Sequence, residues 1–385
     1  MRPDARRETF AELETVQDIV PQVHDAQAII ASERRLPAVL TDALKRAGLF
    51  RLLLPESHGG SHLNLQQFVR CMELLGQADG SAGWCVSQGG VFTNLADRMT
   101  SEAAAEIWGT DANAVVATGT PVGTRAVRSG DGYRLSGTWK FASGVSHATW
   151  LGAMSPTLDA QGEVNGFGMF LVPRARITLC DGWDVAGLRG TGSFEYQLED
   201  EVVPQHRVML GAVLREHVGE VTKLPAQLLF ASGFGAIGLG IARRALDEVY
   251  ALIDGKTPVF NNRRLREDDL TQSGLAEAEA MWGASRAYLL ELTGACAYAR
   301  REHGGVSGEM RAHLRLAATS AMRQAGAVVQ RVYQLSGSDA IFDAHPIQRC
   351  FQDIHALTQQ IQARPQHYRT VGRLLLGLEA DYSTV

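Results

Sequence analysis

The chain changes periodicity twice along its 385 residues, and the order of those changes restricts its fold more than any single motif. Residues 11–110 read as helices: Phe68, Met72 and Leu75 recur at helical spacing, and Gly59-Gly60 interrupts the pattern. Short apolar or alternating runs follow at 114–120, 133–141, 150–155, 167–172 and 194–198, separated by turns such as Ser129-Gly-Asp-Gly132. From Leu224 to about residue 378 the pattern is helical again. Alternating βαβ units would build a parallel sheet, whereas segregated runs build an α+β molecule. The expected division is a helical segment at 1–112, a β segment at 113–215 and a second helical segment at 216–385.

Bulk properties narrow the function classes. Hydrophobic residues make up 45% and charged residues 21%, the balance of a globular protein with large cores. A net charge of −5 gives no support for a basic face, so no nucleic-acid partner is expected. The start, Met1-Arg-Pro-Asp-Ala-Arg-Arg-Glu, lacks the apolar core of a secretory signal. No uncharged apolar stretch reaches membrane-spanning length, so no membrane association is expected. Cys71, Cys85, Cys180, Cys296 and Cys350 are odd in number and scattered. That argues against a disulfide framework or a zinc site and fits a reducing cytoplasm. His58 and His62 flank two glycines and have no clear third ligand, so no metal is expected. Gly233-Phe-Gly235-Ala-Ile-Gly238 spells the dinucleotide fingerprint, but residues 224–230 run into it as one apolar stretch. Its small residues are read as close-packing contacts of a buried helix.

One run carries chemistry. Gly132-Tyr-Arg-Leu-Ser-Gly-Thr-Trp-Lys-Phe-Ala-Ser143-Gly144 alternates like a strand and ends in an aromatic, a small residue and a hydroxyl. On a continuous strand Phe141 and Ser143 would share a face. A ring beside a hydroxyl suits a flat heterocycle covered on its face and hydrogen-bonded at its edge. An ordinary strand ending at Ser-Gly has the same composition.

Three further stretches carry a family resemblance. Leu36-Pro-Ala-Val-Leu-Thr-Asp-Ala-Leu-Lys-Arg-Ala-Gly-Leu-Phe-Arg-Leu-Leu-Leu-Pro55, followed by Gly59-Gly60, is the first. Gly182-Trp-Asp-Val-Ala-Gly-Leu-Arg-Gly-Thr-Gly-Ser193, with Val203-Pro204 after it, is the second. Pro346-Ile-Gln-Arg349-Cys-Phe-Gln-Asp353-Ile-His355 is the third. In this order, over about residues 15–380, they resemble the acyl-CoA dehydrogenase superfamily. Phe-Ala-Ser-Gly and Gly-Leu-Arg-Gly-Thr-Gly-Ser are most similar to its flavin-dependent monooxygenases, the oxygenase halves of two-component systems. The resemblance implies an acyl-CoA dehydrogenase-like α+β fold: an N-terminal α-helical domain, a middle β-barrel-like domain and a C-terminal four-helix bundle. It implies a homotetramer built through that bundle. It also implies reduced flavin (FADH2 or FMNH2), O2, and a separate flavin reductase as supplier.

By the same resemblance Ser143 faces flavin N5 and Phe141 lies beside the isoalloxazine. Thr118, Gly119 and Thr120 match the loop at the pyrimidine edge, where glycine permits close backbone approach. Ser336-Gly337-Ser338 matches the segment that reaches a neighbouring subunit's flavin. Relatives that hold FAD permanently have an arginine and a glutamine near the pyrophosphate. Pro258 and Asp269 stand there, with Arg263, Arg264 and Arg266 close by. That fits a diffusible flavin and leaves both FMN and FAD open.

Acyl-CoA dehydrogenation needs a positioned glutamate as base. At one family location stands Ile361, and the other, within residues 221–246, contains no Asp or Glu. Oxygen chemistry on reduced flavin remains, and for it the protein must exclude water and hold a substrate. Trp84, Phe92, Phe230 and Phe234 are expected to wall that pocket. Phenol-hydroxylating relatives carry histidines where Phe92 and Gln360 stand, so Gln360 is read as a hydrogen-bond anchor. His355 and His147 are the candidate proton acceptors. The expected activity is oxygenation of a small electron-rich molecule: an indole or aromatic carbon, an amine or a sulfide. A flavin oxidase or dehydrogenase is one rival. A non-catalytic binding subunit is another, against which the retained Phe141 and Ser143 argue.

Overall fold

The computed structural model describes residues 9–211, 224–259 and 262–380; the expected limit at 215/216 lies outside them. The N-terminal helices are α1 (Ala11–Asp25), α2 (Gln27–Glu33), α3 (Ala38–Arg46), α4 (Leu65–Ala78), α5 (Gly80–Thr93) and the short α6 (Ser101–Ala104). A capping box opens α4, with Asn64 and Gln67 satisfying each other's backbone N–H groups. Phe68, Met72 and Leu75 form part of its buried face, as their spacing requires. Asp79 caps α5 by accepting from the N–H groups of Ser81 and Ala82, each at 3.0 Å.

The middle of the chain is one eight-stranded sheet. Its strands are β1 (Val116–Ala117), β2 (Thr120–Ser129), β3 (Gly132–Ala142), β4 (Trp150–Leu158), β5 (Val164–Pro173), β6 (Thr178–Cys180), β7 (Phe194–Pro204) and β8 (Val208–Leu210). The order is β6-β7-β3-β2-β4-β5-β8, with β1 parallel to β4. Leu135, Trp139, Phe170 and Tyr196 fill the sheet's own core, where Trp139 and Tyr196 stack at 5.2 Å.

The C-terminal bundle consists of α7 (Ala226–Gly255), α8 (Asp269–His303), α9 (Gly308–Ser336) and α10 (Pro346–Thr358), followed by α11 (Gln366–Leu375). Helix α7 meets the length and composition of a membrane span, which sequence inspection did not anticipate. Yet 83% of its most apolar window is buried inside the protein, where it serves as the central core helix. The Gly233–Gly238 fingerprint lies within it. A Cβ at Gly233 would stand 2.5 Å from Ser87 Oγ, and one at Gly240 would stand 2.2 Å from the Glu73 carbonyl. The glycines therefore let α4 and α5 approach the α7 backbone, as read from the sequence.

Candidate active site

The β3 strand does not continue to Ser143. Its register against β7 shifts between Trp139 and Ala142, and Phe141 takes a left-handed φ of 57°. The Ser143 N–H donates to the Phe141 carbonyl at 3.0 Å, which closes the turn. Alternation is thereby broken: Phe141 is 64% exposed and Ser143 only 7%. The expectation that both occupy one strand face is corrected by this bulge. A bulky residue at positive φ is strained. Here it holds a ring open to its surroundings, edge-on to Trp183 at 6.3 Å and 90°.

Ser143 is the head of two connected structures. Trp84 Nε1 of α5 donates to its Oγ at 3.0 Å. The Trp84 ring stacks on Phe234 of α7 at 3.9 Å and 8°. Phe234 lies 5.8 Å from Phe230, and Phe230 meets Phe92 edge-to-face at 5.4 Å. The four expected pocket aromatics thus form one continuous row that starts at the hydroxyl. On the other side, Ser143 Oγ is 2.8 Å from Ser193 Oγ, which is 2.7 Å from Thr191 Oγ1.

The loop that supplies Thr191 and Ser193 is pinned from several sides. Asp353 of α10 accepts the Leu188 N–H at 2.6 Å, and Arg349 donates to Asp79 at 2.5 Å. Burial, and then the negative charge of Asp79, push the Asp353 carboxyl up to about 6. A Cβ at Gly187 would lie 2.0 Å from the Gln352 carbonyl, and one at Gly190 would lie 2.1 Å from Ile30. The Gly144 N–H donates to the Thr191 carbonyl at 2.8 Å, tying the loop to the Ser143 turn. Sequence inspection singled out this loop only as a family motif; its hydroxyls and the Asp79–Arg349–Asp353 latch emerge in three dimensions.

The other candidates fall in different places. Thr118 is buried and donates to the Gly152 carbonyl at 2.6 Å, while Thr120 is exposed. A Cβ at Gly119 would meet Trp139 Cβ at 2.8 Å, so this glycine permits the close approach to β3. Ser336 is buried and bonds back to the Val332 carbonyl, whereas Gly337 and Ser338 are exposed at the end of α9. Gln360 caps the turn before Gln362 by accepting its N–H at 2.8 Å, and its amide N–H points to Met322 Sδ. Ile361 beside it is 55% exposed. His147 packs near Phe50 with ring centroids 5.4 Å apart, and its Nε2 abuts Gly144. Burial, assisted by the Lys45 charge, pushes it down to about 3. His355 is exposed on α10, edge-on to Phe351 at 4.3 Å. Neither histidine hydrogen-bonds within the Ser143 network, because one is turned into an apolar packing site and the other outward from its helix.

A cleft of about 610 Å³ lined by Phe10, Gln66, Arg70, Asn94, Tyr298 and Arg301 contains neither Ser143 nor any of the four aromatics. The polar geometry, rather than cavity size, therefore marks the site. Its residues suit a flavin: an uncovered ring and a buried hydroxyl stand within one turn, and an apolar wall begins at the same hydroxyl. Comparison with known proteins agrees. Residues 7–111 match the acyl-CoA dehydrogenase N-terminal domain and residues 232–365 the acyl-CoA dehydrogenase C-terminal domain. The indole-3-acetate monooxygenase of Pseudomonas putida is 29% identical, covering 90% of this chain and 88% of its own. The flavin-dependent monooxygenase oxygenase subunit HsaA of Mycobacterium tuberculosis is 29% identical, covering 91% of each chain. The solved structure of XiaF from Streptomyces sp., in complex with FADH2 and glycerol, superposes with a TM-score of 0.89 at 22% identity, covering 96% of this chain and 95% of its own. The chain belongs to the acyl-CoA dehydrogenase superfamily, and these relatives carry the names of flavin-dependent monooxygenases.

Proposed function

We propose that this protein is the oxygenase component of a two-component flavin-dependent monooxygenase. It takes reduced flavin from a separate reductase and transfers one oxygen atom of O2 to a small electron-rich molecule. The observation that carries this reading is the aromatic row Trp84–Phe234–Phe230–Phe92 starting at the Ser143 hydroxyl. When bound, the reduced flavin supplies the electrons that activate O2. Ser143 holds the ring edge and Phe141 lies against the ring. Thr118, Gly119 and Thr120 line its pyrimidine side, and Ser336, Gly337 and Ser338 reach the flavin of a neighbouring subunit in a homotetramer. The aromatic row excludes water and seats a planar or apolar substrate.

The same residues oppose the dehydrogenase rival. Asp353, the buried acid of α10, has one oxygen committed to the Leu188 N–H, and Ile361 offers no base. Phe92 and Gln360 likewise offer no base for ionising a phenol. An indole, a neutral amine or a sulfide is nucleophilic without deprotonation, and these are the proposed substrate classes. Five free cysteines, four of them buried, fit a cytoplasmic setting. The test supplies chemically reduced FMN or FAD and O2 to the protein with a panel of indoles, amines, sulfides and acyl-CoA thioesters. Products heavier by one oxygen atom are expected from the first three classes. Robust dehydrogenation of a saturated acyl-CoA by an artificial acceptor would overturn the reading.

A further inference from the structure

The hydroxyls behind Ser143 have a definite direction. Thr191 Oγ1 lies 2.9 Å from the Leu188 carbonyl, which can only accept, so the Thr191 proton points there. A hydroxyl has one proton. Across the 2.7 Å contact Ser193 must therefore be the donor and Thr191 the acceptor. Ser193 has then used its proton, so across the next contact, at 2.8 Å, Ser143 donates to Ser193. Trp84 Nε1 donates to Ser143 at 3.0 Å and occupies one of its lone pairs. Ser143 is left with one free lone pair and no proton free to donate to a ligand. All three hydroxyl residues are buried, so water does not readily reset the order.

We propose that this buried chain, Trp84–Ser143–Ser193–Thr191–Leu188, fixes Ser143 as a hydrogen-bond acceptor and makes Ser193 and Thr191 positioning residues that select the reduced flavin. The inference rests on the reading that Ser143 faces flavin N5. Reduced flavin carries a proton on N5 and donates to the free lone pair. Oxidised flavin presents a lone pair of its own, and two acceptors then face each other. Discrimination comes from the polarity of the chain and from no residue that changes charge.

The experiment measures dissociation constants of FMN and of FAD, oxidised and dithionite-reduced, under nitrogen. The readout is the ratio of oxidised to reduced constants, compared across variants. Ser193→Ala removes the acceptor of the Ser143 proton, and Thr191→Val frees the Ser193 proton to turn round. In both, Ser143 regains the ability to donate to oxidised N5, and the ratio is expected to fall about fivefold to tenfold. Ser193→Thr and Thr191→Ser keep the hydroxyls and are expected to retain the native ratio. Equal weakening of both redox states in Ser193→Ala and Thr191→Val, with the ratio unchanged, would reduce these residues to structural roles and overturn the proposal. Ser143→Ala separates the two levels of the argument. A changed ratio there with unchanged ratios in the relay variants overturns the relay alone. An unchanged ratio in Ser143→Ala overturns the placement of Ser143 at N5 as well.

Discussion

Asp353→Asn should stabilise this protein near neutral pH, although it deletes a buried charge beside an arginine. Asp353 is buried, accepts the Leu188 N–H at 2.6 Å, and lies 3.9 Å from Arg349 Nε. Arg349 has a closer partner in Asp79 at 2.5 Å, so the substitution does not leave the guanidinium unpaired. Burial first, and repulsion from Asp79 second, raise the Asp353 carboxyl from the ordinary 3.8 to about 6. A carboxyl raised on folding binds more protons folded than unfolded. Its ionisation therefore costs stability as pH rises from about 4 to 6, and the cost is fully present above about 6. The two values correspond to about 3 kcal/mol, an upper bound because the neighbouring groups relax. Asparagine keeps an oxygen for the Leu188 N–H and carries no charge.

Urea unfolding of both proteins at pH 7.5 and pH 5 measures the effect. Asp353→Asn should raise the midpoint at pH 7.5, and roughly half of the free-energy gain should remain at pH 5. Two results would refute the reasoning. A loss of more than about 1 kcal/mol at pH 7.5 would mean that the Arg349 ion pair outweighs desolvation. A gain that is equal at both pH values would mean that Asp353 does not titrate in this window.

Three further outcomes follow from the same geometry. Gly187→Ala places a methyl 2.0 Å from the Gln352 carbonyl with backbone on both sides, so it should cost about 3 kcal/mol or more and weaken flavin binding; calorimetry and flavin titration measure both. Ser143→Ala should leave the fold intact, because it exchanges one hydroxyl for a hydrogen, and should shift the product-to-peroxide ratio several-fold toward peroxide; unchanged coupling removes Ser143 from the chemistry. The oxygen-transfer step, followed by stopped flow, should show no substrate-activating base between about pH 6 and 9, since burial pushes His147 down to about 3 and keeps it neutral across this range, and Ile361 stands where a glutamate base would be. A loss of rate at low pH that vanishes in His147→Ala or His355→Ala, with the rate low throughout, would return a phenol to the substrate classes.

Sequence periodicity located β3, β4, β5 and β7 because each has apolar residues facing the sheet's core. It did not mark β2, in which only Ala126 is buried, or the three-residue strands β6 and β8 at the ends of the sheet. Ser143 was legible from its local run. The orientation of Phe141 was not, since one left-handed residue overturns strand alternation and leaves no pattern in the letters. The partnership of Ser143 with Ser193 spans 50 positions, and that of Asp79 with Arg349 spans 270, so neither has a local signature. The two histidines were indistinguishable for a related reason: sequence gives their identity but not their burial, and the structure buries His147, which pushes it down to about 3, while it leaves His355 exposed on α10.

The loop from Gly187 to Ser193 unites these findings. Leu188 gives its N–H to Asp353, in the latch between α5 and α10, and its carbonyl to Thr191, at the end of the hydroxyl chain. One residue in a left-handed conformation, at φ 51°, therefore joins the packing of the helical segments to the polarity at Ser143. Glycine is needed on either side for a physical reason, because a side chain at 187 would strike α10 and one at 190 would strike α2. If α10 moved away from this loop, the Leu188 carbonyl would lose its fixed aim and the Thr191 proton would be free to rotate. The order of donors, and with it the proposed preference for reduced flavin, would then be lost without any change at Ser143 itself. Docking of the bundle against the sheet loop is thus a condition for the site's chemistry as well as for the fold.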